Sequence, residues 1–388
     1  MKDTLYEKYC TGCGLCKAIG KAQLVPDEKG YLHPQDYDLN TLKQICPVSG
    51  NQVTAMNTNS IWGKYENVYI AWSQNSNVRK NGSSGGIITE IAEYLLAENK
   101  VDGIIQTKAS AKPTETVTII SRTVSEVREC AGSRYSISSP LQILDCLKKN
   151  ERYALVAKPC DIVAFENFSK HNQKFKKQIL YTISFFCAGL PSKDAQKRLL
   201  EDLNCKDTSI VSLRYRGNGW PGFTTAIDKD NNEYQISYAE SWGKILGRDI
   251  MPMCRYCIDG IGEAADISCG DAWYIGKDGY PDFAEHDGRN VVFCRTDTGH
   301  VLFKELIDKK RIHAEDYTDF SSELYKTQYA QRERRETMLA KKLAQMLLLK
   351  KTPQYSLVKL YEYAKGSNIR RSFQVFKGTI KRTLQKKM

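Results

Sequence analysis

The sequence is poor in histidine: five in 388 residues, at positions 33, 171, 286, 300 and 313, with no two at a spacing suited to one metal ion. No Ser-His-Asp arrangement stands out, so acyl transfer by an activated serine and hydrolysis at a histidine-held metal both lack their usual residues. Long apolar runs are missing as well. The greasiest, residues 343–349, falls far short of the roughly 20 residues that a bilayer-spanning helix needs, and no apolar stretch follows the first lysine. A soluble, cytoplasmic protein is the expectation. There is no internal repeat and no long low-complexity linker.

Cysteine, by contrast, is abundant, with 13 residues. The cytosol keeps thiols reduced, so cysteine clusters there bind metal or do redox chemistry more often than they cross-link, and an odd total fits. Charge is uneven along the chain. The net +12 resides in the tail, where residues 326–388 hold 17 Lys and Arg against 3 Asp and Glu, while residues 1–325 hold 40 against 42. No nucleic-acid partner is expected, because basicity confined to a tail gives only sequence-blind attraction to phosphate.

Three regions follow. Residues 1–60 are dense in Cys, Gly and Pro with little periodicity, which suits a small module organised round a metal centre rather than an apolar core. In 61–310, apolar strand-like runs alternate with amphipathic helical ones, at 68–72, 87–96, 101–106, 141–147, 153–157 and 179–186. That alternation predicts an α/β domain with a mixed, partly parallel sheet, α+β being the alternative. Residues 311–388 read as a basic helical extension, with a helix capped by Ser321 or Ser322 and ending before Pro353. In it Leu339, Leu343, Met346 and Leu347 form an apolar stripe bordered by Arg334, Arg335, Lys341, Lys342 and Lys350. Such a helix either packs on the domain or lies peripherally on the anionic inner face of the cell membrane.

Cys10, Cys13 and Cys16 form a C-x2-C-x2-C run, and Cys46 is followed at once by Pro47. A tight loop offers three thiolates to a cubane and a distant cysteine closes the fourth side, while Gly12 and Gly14 let the backbone turn around the sulfides. C-x2-C pairs also serve zinc ribbons, but three cysteines in step plus a remote Cys-Pro favour a 4Fe-4S cluster. Where a two-cluster ferredoxin would continue with another cysteine, this sequence has Gly20. The segment is therefore read as ferredoxin-like with one cluster.

Cys160 comes just after the apolar run 153–157, and Cys187 directly after 179–186. If the two runs are parallel neighbours, both cysteines stand at the strand ends where open α/β sheets hold ligands. Cys254 and Cys257, spaced C-x2-C after Pro252, would make four thiols, although a lone cysteine at a strand end is more often a small buried apolar residue.

Eight stretches, in order, resemble the family of the beta subunit of the deazaflavin (coenzyme F-420) reducing hydrogenase, which includes flavin-dependent reductases such as 7-hydroxymethyl chlorophyll a reductase. They are SSGGIITEIAEYLL (83–96), AGSRYSISSP (131–140), AKPCDI (157–162), FFCAGLPS (185–192), RYRGNGWPG (214–222), CRYCID (254–259), ADISCGDAW (265–273) and RTDTG (295–299). The resemblance implies that Cys160, Cys187, Cys254 and Cys257 ligate a second 4Fe-4S cluster close to a flavin. Cys130, Cys146, Cys205, Cys269 and Cys294 match no ligand position and are read as packing residues.

A glycine-rich turn into a helix, here at 83–86, offers free N–H groups to a pyrophosphate, although a Ser-Gly turn is commonly only a cap. The resemblance implies FAD binding through Ser84, Gly85, Gly86 and Thr89 and through Gly132, Ser133, Arg134, Tyr135 and Ser136. Many members carry Lys where Arg134 stands. Arg216 is the candidate cation near the isoalloxazine, a plain surface turn being the other reading, and Asp271 either caps or lines the pocket.

Together these parts imply an iron–sulfur flavoprotein oxidoreductase passing electrons between two 4Fe-4S clusters and FAD. Its electron partner would be ferredoxin or reduced deazaflavin, and an organic substrate would react at the flavin. The first expectation is a self-contained reductase, with cell-surface polysaccharide metabolism as a lead from the resemblance. The alternative is an electron-transfer subunit of a larger hydrogenase- or dehydrogenase-type complex.

Overall fold

Residues 68–71 and 291–294 are unbroken apolar runs whose side chains are buried on both faces, as in the interior strands of a sheet covered on each side. They belong to an eight-stranded sheet in the computed structural model, which describes residues 4–50, 61–317 and 321–385. The strand order is Ile312–Asp316, Asn67–Ser73, Asn290–Cys294, Ile267–Asp271, Ile179–Phe185, Tyr153–Val156, Gly103–Ala109 and Thr116–Ser121. The four strands from Ile267–Asp271 to Gly103–Ala109 run parallel, and antiparallel strands flank them on both sides. The fold is thus α/β with a mixed, partly parallel sheet.

Period-two alternation decides which side chains face which layer. Tyr69, Ala71, Val292 and Cys294 point toward the helices Ile87–Ala97 and Asp297–Asp308, together with Ile91, Leu95, Leu302 and Phe303. Val68, Ile70, Val291 and Phe293 point the other way, into a core shared with the N-terminal segment and the tail. Cys269 and Cys294 lie in the first of these cores, as packing residues should. A separate antiparallel sheet of Ile210–Arg214, Phe223–Asp228 and Glu233–Ser237 packs on the helix Lys193–Asp202.

Three expectations change. The sheet does not end at residue 310, because Ile312–Asp316 pairs antiparallel with Asn67–Ser73 as its outer strand. The N-terminal segment is not a module without an apolar core: Leu5, Tyr6, Tyr9, Tyr31, Leu42 and Val48 are buried in the core that also takes Val68 and Phe293. Nor is the tail one helix up to Pro353. It runs as Ser321–Thr327, Tyr329–Glu336 and Met338–Leu347, broken at Gln328 and Thr337, followed by Leu357–Ala364 and Ile369–Leu384. The side chains of Ser321 and Ser322 and the segment 51–60 lie outside the described residues. Among the described residues, no helix is long and apolar enough to cross a membrane.

Candidate functional site

The first cysteine set is shaped by its glycines and by what the loop leans on. Gly14 has φ of 87°, and a Cβ there would come 2.8 Å from the backbone nitrogen of Gln142. Leu141 N donates to the Cys13 carbonyl at 2.9 Å and Ser139 Oγ to the Gly12 carbonyl at 2.6 Å, so the loop is seated on residues 139–142. Cys10, Cys13, Cys16 and Cys46 then line one cavity, together with Leu15 and Ala164. The Gly12 N–H points at Cys10 Sγ, 3.3 Å away. Burial pushes all four thiols up, and for Cys10, Cys13 and Cys46 the neighbouring thiols add to the effect.

The second set is assembled by the sheet. Tyr153–Val156 and Ile179–Phe185 are parallel neighbours, so Cys160, at the start of the helix Pro159–Ser169, and Cys187 meet at the carboxyl edge. Cys187 N donates to the Gly260 carbonyl at 2.7 Å, which brings the loop carrying Cys254 and Cys257 alongside. Burial pushes all four thiols up, Cys254 to about 12 and Cys257 to about 11. The Cys187 thiol opposes ionisation of each of Cys160, Cys254 and Cys257, which makes the four a single electrostatic group. Cys130, Cys146 and Cys205 stand elsewhere, and no other thiol is among the causes acting on them.

Asp161 connects the two sets. It is fully buried, bonded to Lys158 Nζ at 2.8 Å, and its charge acts on Cys10 and Cys13 as well as on Cys160 and Cys187. Lys158 also donates to Ser138 Oγ at 2.9 Å, while Asp161 Oδ1 has no hydrogen-bond partner. Sequence reasoning passed over this pair. Its signal was available: a Lys and an Asp three residues apart inside the otherwise apolar run AKPCDIVAF.

Groups of buried, uncharged thiols gain from a cation that turns them into thiolates, and all-sulfur donor sets suit iron–sulfur centres or zinc rather than calcium or magnesium. Both sets therefore fit a sulfur-ligated centre. Among the described residues, no three His, Cys, Asp or Glu side chains stand as close as a single metal ion requires.

The two stretches expected at the flavin come together. Ser83 Oγ and Ser133 Oγ share a hydrogen bond of 2.7 Å, joining the 83–86 turn to residues 132–136. Gly86, at φ 77°, leads into the helix Ile87–Ala97, whose first turn carries Thr89; Ser84 Oγ donates to the Arg289 carbonyl at 2.6 Å. A Cβ on Gly85 would meet the Ala71 carbonyl oxygen at 2.7 Å, and one on Gly132 the Arg216 carbonyl oxygen at 2.8 Å. Ser136 Oγ donates to the Thr114 carbonyl at 2.7 Å.

Two expected cations are otherwise engaged. Arg134 donates to the carbonyls of Leu213, Pro113 and Glu115, at 3.0, 2.6 and 3.0 Å, so its guanidinium ties backbone segments rather than standing open to phosphate. Arg216 is no surface turn: it is 4% exposed and bidentate to Asp271 at 2.9 and 2.8 Å. Burial alone would pull its guanidinium down, and Asp271 keeps it charged. Trp220 Nε1 donates to the same carboxylate at 2.8 Å, and its ring stacks on Trp273 at 4.7 Å, while Tyr135 packs against Tyr215 and Trp242.

Residues 68–145 match the N-terminal part, and residues 150–319 the C-terminal part, of the family described as the coenzyme F420 hydrogenase/dehydrogenase beta subunit. The coenzyme F420 hydrogenase subunit beta of Methanosarcina barkeri is 23% identical over 63% of this chain and 80% of its own length. The F420-dependent formate dehydrogenase subunit beta of Methanocaldococcus jannaschii is 24% identical over 60% of each chain. The coenzyme F420-dependent sulfite reductase of that organism is 24% identical over 65% of this chain and 38% of its own. A chain of the F420-reducing [NiFe] hydrogenase complex from Methanosarcina barkeri shares the fold, with a TM-score of 0.58 and 19% identity over 76% of this chain and 97% of that one. The chain belongs to the coenzyme F420 hydrogenase/dehydrogenase beta-subunit family.

Proposed function

We propose that this chain is an iron–sulfur flavoprotein serving as an electron-transfer subunit of a larger oxidoreductase. Cys10, Cys13, Cys16 and Cys46 would hold one 4Fe-4S cluster, and Cys160, Cys187, Cys254 and Cys257 a second. FAD would lie along Ser84, Gly85, Gly86, Thr89 and the 132–136 segment. When bound, these groups would supply single-electron transfer and its exchange with hydride chemistry.

The observation that carries this reading is that the helix Pro159–Ser169 serves both cysteine sets: Cys160 stands at its start, Ala164 lines the cavity of the first set, and Asn167 Nδ2 donates to the Ile45 carbonyl, next to Cys46, at 3.3 Å. The four thiols of the first set line one cavity, an arrangement that suits a multi-atom centre. The subunit role takes precedence over the self-contained reductase expected from sequence, because relatives are named as beta subunits of an F420 hydrogenase and of a formate dehydrogenase. The electron partner in this reading is another subunit, with coenzyme F420 or a ferredoxin-type protein at the other end. Anaerobic purification from the native source tests it: a stable complex in which reduced F420 bleaches the bound flavin supports the reading, and a lone chain inert to F420 and to ferredoxin contradicts it.

A further inference from the structure

The family match ends at residue 319, yet the side chains that close over the second cysteine set come from beyond it. Gln331 Nε2 donates to the Cys187 carbonyl at 3.2 Å, and Arg334 to the carbonyls of Cys187 and Ala188 at 3.1 and 2.7 Å. Lys341 donates at 3.1 Å to the carbonyl of Arg255, between Cys254 and Cys257. Tyr355 donates to the Tyr256 carbonyl at 2.8 Å, and Arg335 to that of Ile258 at 2.6 Å. Gly260 makes room for the approach, since a Cβ there would meet Gln331 and would lie 2.9 Å from Arg334 Nη1.

These contacts occupy cations that the sequence reading set beside the apolar stripe, whereas Leu343, Met346 and Leu347 of that stripe are exposed. Arg334, Arg335, Lys341 and Lys342 all turn toward the protein, Arg335 being 2% exposed against Glu263 and Asp259 and Lys342 donating to the Pro353 carbonyl. Among the described residues, Arg334 makes no ion pair with a carboxylate, so its charge is left to act on what it covers.

We infer that the C-terminal extension is a built-in cover for the second cluster, and that Arg334 is its positioning residue, holding the Cys187 loop in place and raising the reduction potential of that cluster alone. A fixed cation beside an iron–sulfur centre favours the more negative, reduced state, and low-dielectric surroundings strengthen the effect. The inference rests on the two-cluster reading above. Lys158, paired with Asp161 on the other side, and Lys341, on the Arg255 carbonyl, are further cations near this set.

The test is an anaerobic, EPR-monitored redox titration of the full-length chain and of Arg334→Gln and Arg334→Lys, with iron counted in each. Arg334→Gln should lower the potential of one cluster signal and leave the other where it was, and Arg334→Lys should recover most of the shift. A Gln variant that loses only the iron of the second cluster, while the Lys variant keeps it, also supports the cover. Unchanged potentials at full iron content, or equal loss of iron from both clusters, would overturn it. A wild-type chain carrying fewer than two clusters removes the underlying reading instead, and the iron count separates that outcome from the others.

Discussion

Lys158 and Asp161 form a 2.8 Å ion pair, 10% exposed at the lysine and wholly buried at the aspartate, between two groups of four cysteines. Burial pushes the Asp161 carboxyl up while Lys158 holds it down, so each partner keeps the other charged. Removing one partner strands the other. Asp161→Ala should lower stability by about 3–5 kcal/mol, whereas the double variant Lys158→Met/Asp161→Ala should recover part of that. Anaerobic denaturant unfolding measures both, and a single variant as stable as its parent would contradict the pairing.

The cysteine sets should be separable. Cys13→Ser is expected to remove about half of the iron and leave FAD bound, while Cys257→Ser removes the other half and loosens the flavin. Iron and flavin analysis of each anaerobically purified variant decides the matter. Full iron in either would mean that the mutated cysteine is not a ligand.

Gly132 stands at φ 100°, and a Cβ there would press on the Arg216 carbonyl and the Arg214 guanidinium carbon, at 2.8 and 2.9 Å. Gly132→Ala should therefore cost more than about 1 kcal/mol and reduce flavin occupancy. Gly243→Ala, whose Cβ would find nothing within 4 Å, serves as the control and should change stability by less than about 0.5 kcal/mol. Equal behaviour of the two variants would show that the tight approach at Gly132 has no bearing on the fold.

Arg216→Lys keeps the charge but gives up the two-pronged grip on Asp271. A loss of about 1.5–3 kcal/mol is expected in thermal or denaturant unfolding, with weaker flavin retention. Unchanged stability and flavin content would mean that Arg216 and Asp271 do not act as a unit.

The parts legible in the sequence were those that chemistry spells by residue type and spacing. The C-x2-C-x2-C run with Cys46-Pro47 is such a case, and so are two cysteines just past apolar runs, which parallel pairing of Tyr153–Val156 with Ile179–Phe185 sets side by side. The alternation of strand-like and helical runs was enough to indicate the mixed sheet. Pairings across long stretches of chain were not legible: nothing local says that Arg216 will meet Asp271, 55 residues on, or that Arg334 will reach the carbonyl of Cys187, 147 residues back. The tail left two readings open for a physical reason. A stripe of Leu339, Leu343 and Met346 bordered by cations has the same periodicity whether the cations face lipid or backbone carbonyls, and only the presence of carbonyl-rich cysteine loops opposite decides between them. The RTDTG stretch is a reminder that a family motif need not be chemical: Arg295 donates to the carbonyls of Trp62, Lys64 and Ile261, and Thr296 caps the helix Asp297–Asp308.

The central claim is that the two cysteine sets hold two iron–sulfur clusters beside a flavin, and one measurement addresses it directly: iron, sulfide, zinc and flavin per chain after anaerobic purification, with the visible absorption spectrum. About eight irons, about eight sulfides and one FAD per chain, with broad visible absorbance that reduction bleaches, is the predicted result. Stoichiometric zinc, no sulfide and a spectrum empty above the protein band would contradict it.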